Sequence, residues 1–410
     1  MQCGLLGTAL SHSYSPKIHK LLGDYPYNLY EVAPEKLGDF LNYEPFTGVN
    51  ITMPYKKDAI AYCGELTPAA KLLGAVNTVI RQDGGKLIGH NTDYFGFRSM
   101  VARSGLEMKS KKVLVLGSGG ASATVVAVLK ELGANVHVIS RSGKNNYDNL
   151  EFHTDARLIV NTTPVGMYPN TGISPVDLSM FPSLDGVLDI VYNPRRTELL
   201  MQAEKLGIVA ENGLWMLVAQ AKESAQWFTG KEIPDSAIEE IYKRLQNDTA
   251  NLVLIGMPGC GKSTVGTLLA EKTGKRFVDT DQVIEETAGI SVPEIFATFG
   301  EEYFRKLETD VLHRLGMESG LVIATGGGCV TIPENYASLH QNGTIIWLKR
   351  DIQTLPIEGR PLSHKDSLQK MYTRREPLYQ AFADMVVDNN GCPEDATAQI
   401  LSALDKGDVL

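Results

Sequence analysis

Two stretches of the chain show the same succession of a short apolar run, a glycine-rich turn and a helix of small and apolar residues. Residues 111–133 read KKVLVLGSGGASATVVAVLKELG, and residues 250–274 read ANLVLIGMPGCGKSTVGTLLAEKTG. A continuous Val, Leu and Ile run is typical of a strand buried on both faces of a parallel sheet. Each stretch therefore predicts a βα unit, and each is followed by a further predicted strand, NVHVISRS or KRFVDTD.

The segment between these units predicts where one domain ends. LIVNTTPVGMYP at 158–169 begins as a strand and passes into a turn-rich loop, and IPDSAIEEIYKRLQND at 233–248 predicts a charged helix. Because a second nucleotide-binding pattern starts directly after that helix, we expect a domain boundary near residue 249, with a short stiff connection. The different glycine spacings of the two units argue against internal duplication.

Composition and charge narrow the class of protein. Apolar residues make up 43% and charged residues 21%, which is ordinary for globular proteins. The net charge of −9 argues against a nucleic-acid partner but not against small anions. No apolar run approaches the roughly 20 residues that cross a bilayer, and the N-terminus has no signal-peptide pattern. We expect no membrane partner, and the oligomeric state is left open.

The cysteine pattern indicates a reducing compartment, and the histidine pattern does not indicate a metal site. The five cysteines are scattered and form no Cys-x-x-Cys pair, which favours reduced thiols in the cytoplasm. The eight histidines show no metal-ligand spacing, and we expect them at the surface or in local hydrogen bonds.

The glycine-rich turn of the second unit matches G-x-x-x-x-G-K-[ST] at residues 256–263. Backbone N–H groups of such a loop converge on phosphates at a helix N-terminus. Lys262 is expected to reach the β- and γ-phosphates of ATP, and Ser263 to ligate Mg²⁺. The alternative is a turn that only starts a helix. The predicted nucleotide-binding residues are Gly256, Gly259, Cys260, Gly261, Lys262, Ser263 and Thr264.

Two carboxylates follow the next predicted strand. Asp279 and Asp281 are two residues apart, so one can lie by the metal while the other faces an acceptor hydroxyl. The alternative is that they cap a helix.

The first unit predicts a dinucleotide site. Its turn holds Gly117, Gly119, Gly120 and Ala121, and Ser122 replaces the third glycine of the usual fingerprint. An NAD site has an acidic residue at the end of the following strand. Here VISRSGK supplies no carboxylate there, and its polar and basic residues favour the 2′-phosphate of NADP: Ser140, Arg141, Ser142 and Lys144.

Several motifs in order across 1–245 resemble shikimate dehydrogenases. They are SHSYSPKIH, GVNITMPYK, GAVNTV, GHNTDYFGF, NTTPVGMYP, DIVYNPRRTELL and NGLWMLVAQA. The resemblance implies that Lys56 and Asp93 form the catalytic pair, although a surface salt bridge is the alternative. It also implies that Gly213, Met216 and Tyr192 lie at the cofactor. The implied substrate-binding residues are Ser13, Ser15, Thr52, Lys56, Asn77, Asp93, Tyr192 and Gln220.

Residues 250–405 resemble shikimate kinases. The motifs are the phosphate loop, the Asp-x-Asp pair, GEEYFRKLETDVL, ATGGGCV, GRPL and RREPLY. The resemblance implies that Arg305 and Arg375 clamp a carboxylate, with Arg375 near a helix start, and that the lid residue Arg360 reaches the nucleotide. It assigns Asp281 to the ring hydroxyls and Asp279 to Mg²⁺. The triplet Gly326, Gly327 and Gly328 is expected to line the substrate. The stretch between Leu348 and Arg360 is poorer in arginine than is usual for the family.

These observations predict an α/β protein with two catalytic domains. Residues 1–248 are expected to combine a substrate subdomain (about 1–100 and 210–248) with a Rossmann-like NADP subdomain (about 101–209). Residues 249–410 are expected to form a P-loop domain like the nucleoside-monophosphate kinases. The resemblance implies NADPH-dependent reduction of 3-dehydroshikimate followed by MgATP-dependent phosphorylation of shikimate. A metabolite-sensing regulatory protein, or an enzyme acting on quinate or another hydroxy acid, is the alternative.

Overall fold

A computed structural model describes residues 1–10, 13–355 and 365–406, and it divides the chain into two compact units. Unit 1 comprises Met1–Met167, Ile173–Tyr192 and Leu199–Lys243, and unit 2 comprises Tyr168–Gly172, Asn193–Glu198 and Arg244–Leu410. The division of the main segments lies inside the helix Ser236–Thr249, a few residues before the predicted boundary.

Unit 1 begins with a mixed six-stranded sheet of order β2-β1-β3-β5-β6-β4. β1 is parallel to β2 and β3, whereas β5 is antiparallel to β3 and β6. Its strands are β1 (Cys3–Gly7), β2 (Tyr27–Glu31), β3 (Gly48–Ile51), β4 (Glu65–Leu66), β5 (Thr78–Arg81) and β6 (Leu87–His90). Three helices belong to this region: α1 (Ser15–Leu22), α2 (Leu37–Tyr43) and α3 (Pro68–Leu73).

The second sheet of unit 1 has five parallel strands in the order β11-β10-β9-β7-β8. They are β7 (Lys112–Leu116), β8 (Asn135–Ile139), β9 (Leu158–Asn161), β10 (Gly186–Asp189) and β11 (Val209–Glu211). The apolar runs of β9 and β10 are buried along their whole length, as strands covered on both faces must be. The accompanying helices are α4 (Asp93–Ser104), α5 (Gly120–Glu131), α6 (Glu198–Lys205), α7 (Leu214–Thr229) and α8 (Ser236–Thr249).

Helices α4 and α7 approach each other closely at Gly96. A Cβ atom on Gly96 would lie 2.7 Å from the Met216 carbonyl oxygen and 3.0 Å from the Gln220 Cβ. The missing side chain therefore lets the helix that begins at Asp93 pack directly against the helix that carries Met216 and Gln220.

Unit 2 is built on five parallel strands in the order β13-β14-β12-β15-β16. They are β12 (Asn251–Ile255), β13 (Arg276–Asp279), β14 (Leu321–Ala324), β15 (Gly343–Lys349) and β16 (Met385–Asp388). The helices are α9 (Lys262–Thr273), α10 (Thr280–Ala288), α11 (Val292–Met317), α12 (Glu334–His340), α13 (Lys365–Phe382) and α14 (Pro393–Lys406). The predicted α/β class, with a doubly wound unit followed by a P-loop unit, is confirmed.

One local prediction is wrong. Arg375 does not lie near a helix start but in the middle of α13, because this helix begins at Lys365 and continues through Pro377. His19 makes one of the local hydrogen bonds expected of the histidines, although it does not lie at the surface. It is fully buried against Tyr27 and Phe228, and its Nδ1 lies 2.7 Å from the Tyr25 hydroxyl. Burial lowers the pKa of His19 to about 3.

Within the described residues, no helix combines the length and the apolar character that a membrane crossing requires.

Candidate active sites

A cavity of about 280 Å³ in unit 1 collects nearly all the predicted reducing-site residues. It lies between the carboxyl end of β3, the amino end of β5, the start of α4 and the N-terminal half of α7. Its lining includes Ala121 from the predicted dinucleotide turn. The predicted residues that line it are Ser13, Ser15, Thr52, Lys56, Asn77, Asp93, Tyr192, Gly213, Met216 and Gln220.

Lys56 and Asp93 meet inside this cavity. Lys56 Nζ donates to Asp93 Oδ2 over 2.6 Å, and Asn77 Nδ2 donates to Asp93 Oδ1 over 2.9 Å. The side chains of Lys56 and Asp93 are 32% and 16% exposed, so the pair is more enclosed than a surface salt bridge. One carboxylate oxygen thus orients the ammonium while the other is held by a neutral amide.

The two serines flank the entry to α1. Ser13 Oγ accepts the Ser15 backbone N–H over 3.2 Å, and both serines line the cavity. Between them, Tyr14 packs its ring against Tyr192, with the ring centroids 5.5 Å apart. Burial raises the pKa of Tyr192, so this side chain stays a neutral phenol. Neutral hydroxyl donors near an ammonium suit a substrate that carries a carboxylate.

A second cavity, of about 680 Å³, lies at the carboxyl ends of β7 and β8. Gly117 has φ +103°, and a Cβ there would fall 2.9 Å from Thr162 Oγ1. At Gly119 and Gly120 no described atom lies within 4 Å of where a Cβ would stand. The N-terminus of α5 carries no side-chain cap, which leaves its first N–H groups available to an anion such as a pyrophosphate.

The basic turn after β8 contributes two of its four predicted residues to this cavity. Ser140 and Arg141 line it, whereas Ser142 and Lys144 are exposed and do not. Arg141 is the cationic residue of this lining, and its binding of a 2′-phosphate stays a prediction. Three lining residues that were not among the predicted site residues are Tyr147, Thr162 and Thr163, although the two threonines belong to the NTTPVGMYP motif.

The phosphate loop of unit 2 has the conformation that its glycines permit. Gly256, Gly259 and Gly261 all have positive φ, at +144°, +82° and +100°. Lys262 Nζ donates to the Gly256 and Met257 carbonyl oxygens, over 2.9 and 3.0 Å. The ammonium therefore lies inside the loop and is available to phosphate oxygens there.

The loop is braced from the end of β16. Asn389 Nδ2 donates to the Cys260 carbonyl oxygen over 2.6 Å, and a Cβ on Gly261 would lie 2.6 Å from the same nitrogen. Sequence reasoning missed Asn389, because it follows the loop by more than a hundred residues. Thr264 is exposed in the first turn of α9, whose N-terminus has no side-chain cap.

A hydroxyl and a carboxylate lie beside the loop where Mg²⁺ would bind. Ser263 Oγ donates to Asp279 Oδ2 over 2.8 Å, a donor set of the kind that Mg²⁺ prefers. Asp279 also caps α10 by accepting the Asp281 N–H over 3.1 Å, so the capping alternative is confirmed for Asp279, and its role at Mg²⁺ stays a prediction. Burial raises the pKa of Asp281, and the nearby Asp279 carboxylate raises it further.

A cavity of about 540 Å³ joins the other predicted residues of unit 2. It has an apolar wall from α11 and α13 and a polar floor. The predicted residues that line it are Asp281, Arg305, Gly326, Gly327, Gly328 and Arg375. The remaining predicted residue, Arg360, lies outside the described residues.

The guanidinium groups of this cavity are held by neighbours. Arg305 Nη1 donates to Glu308 Oε2 over 2.7 Å, and Arg375 Nη1 donates to the Gly327 carbonyl oxygen over 3.1 Å. The buried atoms Arg305 Nε, Arg375 Nε and Glu308 Oε1 have no hydrogen-bond partner among the described residues. Two guanidinium groups with spare donors suit a carboxylate ligand.

The glycine triplet is required by the cavity's own side chains. A Cβ on Gly328 would overlap the Arg305 guanidinium, and one on Gly326 would lie 3.1 Å from Asp281 Oδ1. Sequence reasoning missed Glu308, although its position three residues after Arg305 on a helix predicts that the two side chains are neighbours. Glu308 is fully buried, and burial raises its pKa.

The folds and sites define a dinucleotide-dependent dehydrogenase joined in one chain to a P-loop kinase. The family described as shikimate dehydrogenase substrate binding domain matches residues 5–79, and the family described as shikimate kinase matches residues 258–405. The chain belongs to the shikimate dehydrogenase family and continues into a shikimate kinase domain.

Relatives of the dehydrogenase part come from several bacteria. NADP⁺-type shikimate dehydrogenases of Clostridium beijerinckii and Caldicellulosiruptor bescii are 33% and 36% identical to it. Each match spans 60% of this chain, and the matched regions make up 98% and 94% of the two relatives. A solved Thermus thermophilus shikimate dehydrogenase in complex with NADP(H) and shikimate is 32% identical, with a TM-score of 0.55. It covers 60% of this chain, which covers 99% of it.

A solved Clostridium acetobutylicum protein joins a shikimate dehydrogenase to a different enzyme. It is a chorismate mutase/shikimate 5-dehydrogenase fusion, 36% identical to this chain with a TM-score of 0.57. The match spans 60% of this chain and 97% of the solved chain.

Proposed function

We propose that this chain is a bifunctional shikimate-pathway enzyme that reduces 3-dehydroshikimate to shikimate with NADPH and phosphorylates shikimate with MgATP. We assign the reductase to residues 1–248 and the kinase to residues 249–410. The observation that carries the proposal is the Lys56–Asp93 pair inside a cavity lined by neutral hydroxyls and amides. The family matches at 5–79 and 258–405 support both halves.

In the reductase, Lys56 is the proton donor. When bound, NADPH would supply a hydride to the ketone carbon, and the electrons of the broken C=O π bond would leave the ketone oxygen as an alkoxide. Lys56 Nζ delivers a proton to that oxygen, and Asp93 keeps the ammonium directed into the cavity through the 2.6 Å contact. Ser13 and Ser15 bind the substrate carboxylate. The ring hydroxyls are assigned to Thr52, Asn77, Tyr192 and Gln220.

The cofactor is assigned to the two cavities of unit 1. Gly117, Gly119, Gly120 and Ala121 bind the pyrophosphate at the start of α5, and Arg141 binds the 2′-phosphate. The nicotinamide lies by Gly213 and Met216, which line the reducing cavity together with Lys56.

In the kinase, the loop at 256–264 binds the phosphates of ATP, and Ser263 and Asp279 bind Mg²⁺. The metal ion neutralises phosphate charge when bound. Asp281 accepts a hydrogen bond from the ring hydroxyls, and Arg305 and Arg375 bind the carboxylate from two sides of the cavity. Lys262 stabilises the charge of the transferred phosphoryl group.

One incubation tests both halves. Purified protein is supplied with 3-dehydroshikimate, NADPH, ATP and Mg²⁺, and the products are identified by mass spectrometry. We expect shikimate 3-phosphate, with shikimate alone when ATP is omitted. No oxidation of NADPH under these conditions would refute the reductase proposal. A parallel incubation with quinate and NADP⁺ tests the alternative substrate, and faster turnover of quinate than of shikimate would replace the proposed substrate.

The substitution Arg141→Ala is expected to weaken the binding of NADPH more than the binding of NADH. A hydrogen bond to a charged group contributes about 1.5–3 kcal/mol, so the Kd for NADPH should rise roughly 10- to 100-fold. NADH lacks the 2′-phosphate, and its Kd should change by less than about threefold on the same reasoning. Fluorescence titration of both cofactors measures this, with the exposed Lys144→Ala as a control. An equal loss of affinity for both cofactors would contradict the assignment.

Gly96→Ala is expected to destabilise unit 1. The new methyl group would be forced against the Met216 carbonyl oxygen, and overpacking of this kind costs about 1–3 kcal/mol, against roughly 1 kcal/mol gained in helix propensity. Reductase activity should therefore be lost at a temperature a few degrees lower, while the kinase inactivation temperature stays the same. The control is Arg98→Ala on the exposed side of α4. An unchanged or higher reductase inactivation temperature would contradict the close helix packing.

We also propose a reducing, cytoplasmic location. All five cysteines are unpaired, and Cys3, Cys260 and Cys329 are buried. Free thiols are typical of proteins kept in a reducing compartment.

A further inference from the structure

A buried polar cluster lies behind the reducing cavity. It consists of Asn50 on β3, Thr78 on β5, Thr92 at the start of α4 and Ser224 on α7. Asn50 is 5% exposed and the other three side chains are fully buried. Only Asn50 also lines the cavity, so a binding role does not account for the three hydroxyl groups.

Ser224 is at the centre of this cluster. Its Oγ donates to the Gln220 carbonyl oxygen over 2.9 Å, a bond within the helix that by itself would satisfy a buried serine. The same oxygen accepts Asn50 Nδ2 over 2.7 Å and lies 3.0 Å from Thr78 Oγ1 and 3.1 Å from Thr92 Oγ1. One hydroxyl on α7 therefore connects two strands of the first sheet with the loop that leads to Asp93.

A chain of hydrogen bonds connects the Asp93 carboxylate to this cluster through Asn77 and Thr92. An ionised Asp93 only accepts, so Asn77 must turn its Nδ2 toward it. The other Nδ2 hydrogen goes to Thr92 Oγ1 over 2.9 Å, and Asn77 Oδ1 accepts the Thr92 N–H over 2.7 Å. Thr92 thus fixes both ends of the Asn77 amide.

The position of the Thr92 hydroxyl depends in turn on its other neighbours. With an N–H already donated to its oxygen, Thr92 has its own proton left to donate. On α7 the acceptors within reach are Ser224 Oγ at 3.1 Å and Gln220 Oε1 at 3.3 Å. Asn77 Oδ1 at 3.2 Å and Thr78 Oγ1 at 3.4 Å are the other acceptors near this hydroxyl. Ser224 donates its own hydroxyl proton to the Gln220 carbonyl oxygen, so its Oγ can only accept. It accepts from Asn50 Nδ2 and can also accept from Thr92 or Thr78.

We propose that Ser224 is a positioning residue for the reduction. It holds Thr92, and through Thr92 and Asn77 it keeps the Asp93 carboxylate directed at Lys56. Ser224 lines neither of the two cavities of unit 1, and the inference rests on the proposed reductase function.

Ser224→Ala should therefore lower the rate of the chemical step and leave the affinity for the cofactor nearly unchanged. The reductase kcat is expected to fall about tenfold, the equivalent of roughly one buried hydrogen bond. The Kd for NADPH should stay within about twofold, because no residue of the cluster lines the cavity at Gly117 and Arg141. Ser224→Cys, which keeps the volume but accepts hydrogen bonds weakly, should show the same loss of kcat even if the alanine variant folds poorly.

Thr229→Ala provides a matched control on the same helix. Its Oγ1 donates to the Ala225 carbonyl oxygen over 2.8 Å, the same kind of helical bond, but it lies outside the cluster. We expect its kcat to equal that of the unmodified chain. If both variants lower kcat equally, loss of a helical hydroxyl explains the effect and the proposal is overturned.

A double-mutant cycle tests the route through Asn77. If Ser224 acts through this amide, Ser224→Ala should change kcat by less than about twofold in an Asn77→Ala background, because coupled residues are not additive. If the double variant loses kcat by the product of the two single-variant factors, the residues act independently and the proposal is overturned. A Ser224→Ala variant with lower thermal stability but normal kcat would also overturn it. An unmodified chain that does not reduce 3-dehydroshikimate would refute the proposed function instead, which separates the two failures.

Discussion

Lys56→Ala should abolish reduction of 3-dehydroshikimate and leave phosphorylation of shikimate unchanged. The variant loses the proton donor and leaves Asp93 with its Asn77 contact but without its ammonium partner. General acid–base catalysis contributes roughly 10²- to 10⁴-fold, so the reductase kcat should fall by about that factor. The rate of NADPH oxidation and a coupled assay of ADP release measure the two activities in one preparation.

The neighbouring lysine is the control for this experiment. Lys57→Ala removes an equal charge from an exposed position on the same turn and should keep both activities. If Lys56→Ala and Lys57→Ala behave alike, local charge rather than proton transfer explains the effect. A folded Lys56→Ala variant that loses both activities equally would contradict the assignment of the two reactions to separate sites.

Lys262→Met should have the opposite effect: kinase activity is lost and reductase activity is kept. Methionine fills the space of the lysine stem but cannot donate to phosphate oxygens. The loss of one preorganised donor to a developing charge typically costs about 10²–10³ in rate, and we expect a kinase loss of at least that size. The variant should also show weaker ATP binding, because the 256–264 loop would lack its ammonium.

Lys272→Met is the matched control, since Lys272 lies exposed in the last turn of the same helix. It should retain both activities. A normal kinase rate in Lys262→Met would refute the role of the loop. Taken together, the Lys56 and Lys262 variants should each remove one activity, which only a chain with two independent catalytic sites can show.

Much of both sites could be predicted because short motifs carry their own local structure. The phosphate loop needs only a buried strand, glycines with positive φ and an uncapped helix N-terminus, and all of these lie within residues 251–273. The same holds for Gly117 at the end of β7. The preference for NADP likewise follows from one turn after one strand, where Arg141 replaces the usual acid.

What could not be predicted depends on pairs of residues far apart in the chain. Asn389 braces the phosphate loop across 129 positions, and Ser224 meets Asn50 across 174. Neither residue belongs to a motif, and each polar side chain is informative only once its buried partner is known. Ser142 and Lys144 show the converse, because they belong to the predicted basic turn but do not line the cavity.

The sequence by itself determined the α/β class, the order of the two nucleotide-binding units and their glycine-rich turns, because these follow from local hydrophobic pattern and glycine spacing. The other site residues were implied by the resemblance to the two families. The tertiary structure alone decided that the Lys56–Asp93 pair is enclosed in a cavity, that Arg375 lies mid-helix against Gly327, and that three buried hydroxyls meet behind the reducing site. The physical reason is that burial and hydrogen-bond partnership are properties of packed elements, and packing joins residues that no local pattern connects.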